Sequence, residues 1–180
     1  SIKYQLLSME KEEVLASGLV ERIAEASGLI KCTFFPDTSK QRKLEREEPV
    51  PNHHAGMLKV IDLLCDAASG IIADTREIDA IGHRVVHGGE AFHQPTLITD
   101  EVVAAIEENI PLAPLHNPPN LDGIRVAREL FPDAPQVAVF DTAFHQSMPA
   151  RAFLYALPRE LYVNHRVRCY CFHGTSHAYV

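Results

Sequence analysis

An α/β fold is what the sequence predicts, a mixed sheet in which an antiparallel amino-terminal meander precedes strands joined by helical crossovers. Two observations carry this expectation. Strand-like runs at residues 1–9, 14–23 and 29–35 follow one another with only turn-like interruptions. From residue 53 to residue 141, apolar positions then alternate between the 3.6-residue period of helices and the short continuous runs of buried strands.

Composition sets the limits. A chain of 180 residues with 46% hydrophobic and 23% charged residues can bury a sizeable core and is not a disordered chain. A net charge of −7 argues against a nucleic-acid partner. No apolar run reaches membrane-spanning length and no signal peptide opens the chain, so the expectation is a cytoplasmic protein with no membrane partner. Cys32, Cys65, Cys169 and Cys171 are irregularly spaced and are expected to be free thiols in a reducing compartment. Cys169-x-Cys171 lacks the CxxC spacing, and no metal or redox role is assigned to it. The chain opens on Ser1 and stops just after a dense polar cluster, so both ends read as cuts through a larger protein.

Taken in order, residues 1–9 alternate through Ile2, Tyr4 and Leu6. Residues 14–23 read as a second strand bent at a glycine, with a short helix as the alternative, and LIKCTFF at 29–35 as a third strand, rich in β-branched and aromatic side chains. Residues 36–52 are charged and proline-bearing and are expected to be a loop or solvated lid. His53 and His54 lead into a helix whose buried face is Met57, Leu58, Ile61, Leu64, Cys65 and Ala68, with Gly70 as its stop. Ile78, Ala80 and Ile81 begin a buried strand. Thr99 or Asp100 caps a helix that runs to Asn109 and buries Val102, Val103, Ile106 and Ile110. After a rigid connector at 111–117, Asn117 caps a third helix with Pro118 in its first turn and Leu121, Ile124, Ala127 and Phe131 facing inward. Residues 137–140 form a buried strand that delivers Asp141 at its tip. Ligands of such sheets gather beyond the carboxyl ends of the strands.

Four polar groups stand out: GHRVVHGG at 82–89, PLHNP at 114–118, VFDTAFH at 139–145 and FHGTSH at 172–177. Arg84 and His87 beside Val85 and Val86 would be costly there without an anion to meet the cation. Four histidines with Asp141 would also make a metal-dependent hydrolase site, although no HExxH pattern forces them together. Anion handling uses the residue types better. Phosphoryl transfer needs charge stabilisation around three equatorial oxygens and little covalent chemistry from the protein. Arg84 offers a planar donor fork, His173 a donor to a transferring oxygen, and Asp141 an acceptor that can orient either. Plain structural roles stay open for each: a surface ion pair for Arg84, a turn or cap for Asp141, a satisfied histidine for His116 and His173. No Walker A pattern occurs, which argues against a P-loop kinase.

GHRVVHGGE (82–90), PLAPLHNPPNLDGI (111–124), VAVFDTAFHQSMP (137–149), YALP (155–158) and FHGTSH (172–177) closely resemble the acetokinase family in order and spacing. The resemblance spans essentially the whole chain and implies the ribonuclease H-like half of the sugar kinase, heat-shock 70 and actin superfamily. It implies reversible transfer of the γ-phosphoryl of ATP to acetate, giving acetyl phosphate and ADP, with Mg²⁺. The matching positions make Arg84, Asp141 and His173 catalytic. They place Arg84, Val86, Leu115, His116 and Phe172 around the substrate, and Ser1, Lys3 and His177 on the cofactor side; no metal ligand is assigned. Residues 1–180 would be the amino-terminal domain, incomplete at its start, of a homodimeric protein whose nucleotide-binding domain is absent from this chain. The alternatives are a propionate or butyrate kinase and a non-catalytic fragment. One departure matters: the family's usual Arg-Arg-Tyr-Gly reads Arg168-Cys169-Tyr170-Cys171 here. Cys171 can take the glycine's place if the backbone angle there is negative, so the departure bears on the fine placement of His173.

Overall fold

The computed structural model describes residues 1–67 and 71–180, so the expectations for Ala68 and Gly70 lie outside the described residues. The chain divides into two compact units, residues 1–79 with 125–133, and residues 80–124 with 134–180. Among the described residues, no helix is long and apolar enough to cross a membrane.

The first unit is built on the expected meander. β1 (Ile2–Ser8), β2 (Glu13–Glu21) and β3 (Gly28–Phe34) pair antiparallel in that order. On β3 strict alternation buries Gly28, Ile30, Cys32 and Phe34 on one face. Gly18 does not bend β2, as the sequence suggested, but lies directly across from Tyr4. A Cβ there would sit 2.4 Å from the Tyr4 ring, so the aromatic covers a position only glycine can occupy.

A fourth strand corrects the loop expected over 36–52. β4 (Arg42–Glu48) pairs with β3 along its whole length. Its charges hid it, because a sheet edge facing water can carry them. Glu48 takes the Lys59 ammonium at 2.6 Å and Arg42 lies over the Phe34 ring. Such an edge also discourages pairing with another chain.

α1 (His53–Cys65) starts at Asn52, whose side chain accepts from the Ala55 N–H at 2.8 Å. The face predicted for it is rotated. Gly56, Val60, Leu63 and Leu64 are buried, Leu58 is exposed, and Met57, Ile61 and Cys65 are half-buried. Gly56 causes the rotation: with no Cβ it lets the helix approach Ile2, Val50 and Val20 closely, so the contact centres on it.

The second unit holds a three-stranded sheet in the order β5 (Ile81–Val85), β7 (Gln136–Phe140), β6 (Thr96–Leu97). β5 and β7 run parallel, while β6 is antiparallel to β7. β5 begins later than expected. Ile78 closes a 3₁₀ turn through its N–H to the Thr75 carbonyl, and Ala80 is exposed. α2 (Asp100–Glu108) buries Val102 and Ile106, leaving Val103 and Ile110 half-buried. α3 (Asn117–Leu130) contributes Leu121 and Ile124 to the same core, against Val85, Ala138 and Phe140. Three shorter helices complete the unit: α4 (Ala150–Phe153), α5 (Arg159–His165) and α6 (Gly174–Tyr179). All four cysteines are free thiols.

Candidate active site

The parallel register of β5 and β7 sets Arg84 beside Val139, so Asp141 emerges one residue beyond the neighbouring strand. Asp141 is 2% exposed, its N–H donating to the Val85 carbonyl at 2.9 Å. Arg84 meets it with a two-pronged ion pair: Nε donates to Oδ1 at 2.9 Å and Nη2 to Oδ2 at 2.7 Å. The carboxylate raises the Arg84 pKa beyond its ordinary value, mainly through these hydrogen bonds. The guanidinium also donates from Nη2 to His173 Nδ1 at 3.0 Å. A guanidinium can only donate, so Nδ1 accepts and the imidazole proton sits on Nε2.

His173 itself has a left-handed backbone, φ 57°, immediately before α6. The next residue explains the tight junction. The Gly174 N–H donates to the Asp141 carbonyl at 2.8 Å, and a Cβ on Gly174 would sit 2.5 Å from that oxygen. Only glycine lets the α6 junction close onto the end of β7 and present His173 to Arg84.

Arg84, Asp141 and His173 are therefore brought together by direct contacts. Among the described residues, the His116 side chain shares none of these contacts; it lies exposed in the turn before α3. Val86 is half-buried, with its N–H held by Asn120 Oδ1 at 3.0 Å. Leu115 is 83% exposed, while Phe172 is 40% exposed with its ring edge-on to that of His87 at 5.7 Å. His177 packs edge-on against His145, whose Nε2 lies 3.0 Å from the Phe172 carbonyl. Ser1 and Lys3 belong to the first unit, Lys3 on β1.

Several supporting residues escaped the sequence reading. Asn117, expected as a cap outside α3, is its first residue. Its Oδ1 accepts from the His87 N–H, and its Nδ2 donates to the carbonyls of His87 and Ile106. Glu90 takes both the Arg168 guanidinium and the Tyr162 hydroxyl, while Arg168 lies over the Phe153 ring. Only the GGE and RCYC strings hinted at this cluster. Cys171 has φ 57°, so the condition of a negative angle is not met. It accepts the left-handed conformation a glycine adopts freely and carries its side chain there.

His87 does not join Arg84, Asp141 and His173. Past the end of β5 the chain carries its ring into the core against Tyr170, where it is 1% exposed. Burial, helped by the Arg166 charge, pushes its pKa down to about 4 from 6.5. As pH falls through that window the unfolded chain takes up a proton that the folded chain refuses, so stability declines and then levels off below it. The loss is on the order of 3 kcal/mol. Denaturant midpoints measured across this window should fall less steeply for His87→Gln than for the parent. Equal slopes would refute the assignment.

A family model described as the acetokinase family matches residues 1–180. The chain is 55% identical to an acetate kinase of Desulfotalea psychrophila, covering 100% of this chain and 45% of that protein. The crystal structure of Porphyromonas gingivalis acetate kinase matches with TM-score 0.89 and 46% identity, over 97% of this chain and 43% of that one. A propionate kinase from Francisella tularensis matches with TM-score 0.87 and 38% identity, over 98% of this chain and 43% of its own. The chain thus spans less than half the length of the relatives it matches.

Proposed function

The chain belongs to the acetokinase family, and from that premise we propose that it supplies the acetate and phosphoryl side of an ATP-dependent acetate kinase. The observation that supports this most directly is the Arg84 guanidinium, held by a buried carboxylate yet 64% exposed. Two of its N–H groups go to Asp141 and one to His173. Among the described residues, the two hydrogens of Nη1 have no protein partner. They remain as two divergent, charged donors for oxygens of a carboxylate or phosphoryl group.

In this reading the acetate carboxylate attacks the γ-phosphorus in line and ADP leaves, so the protein supplies no nucleophile. Arg84 orients the acetate and neutralises charge on the transferring group. His173, with its Nε2 proton outward, donates to an equatorial oxygen. Val86, Leu115 and Phe172 contact the methyl group, and His116 stands on the phosphoryl path. Ser1, Lys3 and His177 serve the cofactor side. Mg²⁺ fits a site of this kind, because it is commonly held by one or two carboxylates together with substrate phosphates. Asp141 would hold it, since each of its oxygens accepts from Arg84 and retains a lone pair. When bound, Mg²⁺ supplies charge neutralisation on the phosphates. A cytoplasmic homodimer working on acetate, ATP and ADP completes the proposal.

The test is acetyl phosphate formation from acetate and ATP, trapped as the hydroxamate. A protein joining this chain to the further length of its relatives should turn over, while residues 1–180 alone stay at background. With Leu115 so open, one extra methylene is worth only about 0.8 kcal/mol, and kcat/KM for propionate should lie within about tenfold of that for acetate. Absence of turnover in the longer protein, or robust turnover by the short chain, would overturn the reading.

A further inference from the structure

Immediately before Phe172 and His173 the chain carries a pair of thiols that phosphoryl transfer does not use. Cys169 Sγ and Cys171 Sγ lie 3.3 Å apart, in hydrogen-bonding contact. In an extended strand, residues two apart point the same way but are separated by about 6.6 Å. The left-handed turn at Cys171 folds the segment and lets the sulfurs meet.

Fixed anchors hold them there. The Cys169 N–H donates to the Phe153 carbonyl at 2.8 Å. Tyr170, between the two thiols, is buried with its ring 4.4 Å from that of His87 and its hydroxyl donating to the Arg166 carbonyl. Cys169 is half-buried and Cys171 exposed, so one sulfur is open to a reagent and the other waits beside it.

We propose that Cys169 and Cys171 are a redox-active dithiol, closing to an intramolecular disulfide that repositions Phe172 and His173 and so gates the site by oxidation. The gating half rests on the phosphoryl-transfer reading above; the dithiol half does not.

The oxidant is a low-molecular-weight disulfide. Cys171 loses its proton and its thiolate attacks one sulfur of the reagent. A mixed disulfide forms, the reagent's S–S bond breaks, and the released thiolate takes up a proton. Cys169, deprotonated in turn, attacks Cys171 Sγ and expels the second reagent thiolate, which is also protonated. Two protein thiols are oxidised by two electrons, and one reagent disulfide becomes two thiols. Contact with Cys169, more than burial, holds the Cys171 thiol above its ordinary range, so closure accelerates as pH rises.

Closure brings the sulfurs to about 2.05 Å, a movement of roughly 1.3 Å. Cys169 and Tyr170 are tied down, so the movement falls on Cys171 and the residues after it. Phe172 is linked through its carbonyl to His145, and His173 touches Arg84. A disulfide spanning three residues with an exposed sulfur is of the labile, reversible kind.

The experiment treats the chain with excess oxidised glutathione at mildly alkaline pH, then alkylates, maps peptides and records the imidazole resonances of His173. Expected are loss of two hydrogen masses in the Cys169–Cys171 peptide, with Cys32 and Cys65 still alkylated, and a shift of the His173 signals that dithiothreitol reverses. Cys169→Ser and Cys171→Ser should each abolish both. A glutathione adduct that never closes, closure with unmoved His173 signals, or an equal shift in the serine variants would overturn the proposal. Inorganic phosphate added to the reduced chain is the separate arm. If it leaves the His173 resonances still while oxidation moves them, the phosphoryl-site reading fails and the dithiol stands.

Discussion

Replacing Arg84 by alanine in the longer protein proposed above is expected to lower kcat/KM for acetyl phosphate formation by about 10³-fold, the scale seen when a phosphoryl-stabilising arginine is removed. The Arg84→Lys variant separates charge from shape. A lysine restores the positive charge but cannot span both Asp141 oxygens and still reach His173 and a ligand. Its activity should stay within about tenfold of the alanine variant, closer to it than to the parent. Stability should move little by comparison. Arg84→Ala leaves the Asp141 carboxylate, 2% exposed, without two charge-assisted donors. Because the pair faces water on the arginine side, the cost is about 1–2 kcal/mol rather than that of a fully buried pair. Steady-state kinetics with a thermal melt checks both. A lysine variant with parental kcat would show that the fork is irrelevant, and unfolding of both variants would show that Arg84 serves only the fold.

How much of this was legible in the chain depended on whether a residue's place is set locally or by distant contacts. The meander, α2, α3 and the strand delivering Asp141 follow from periodicity, caps and prolines. β4 did not, because nothing within RKLEREE favours a strand until β3 offers its hydrogen bonds. The buried face of α1 was misjudged for a related reason. Counting large apolar residues overlooks Gly56, whose missing side chain decides which way the helix turns. In the site, Arg84 and Asp141 were readable as a cation in need of an anion and a strand-end acid. His87 looked like their companion in the string HRVVHGG, yet β5 ends at Val85 and the chain beyond it packs the His87 ring in the core with Tyr170. The contact of His173 with Arg84 joins residues 89 positions apart. Composition could not supply it, and the family resemblance supplied only the expectation of it.

Asp141→Asn is the sharper test of whether these side chains act as a unit. Asparagine keeps the shape but turns one acceptor oxygen into an NH₂ donor facing a guanidinium that can only donate. Arg84 then loses one prong, its Nη1 donors swing off line, and the carboxylate proposed to hold Mg²⁺ is gone. A fall of about 10³-fold in kcat/KM is expected, comparable to that of Arg84→Ala. The stability effects should differ in rank, however. Removing the charge from Asp141 strands only Arg84, which is 64% exposed and can turn to water, whereas removing Arg84 strands a buried anion. Asp141→Asn should therefore melt closer to the parent than Arg84→Ala does. Groups that work through one another also fail to add. The double variant should be no more than about threefold worse than the weaker single variant. Losses that multiply, toward about 10⁶-fold, would mean that Arg84 and Asp141 contribute independently and that their paired geometry is not what the reaction uses.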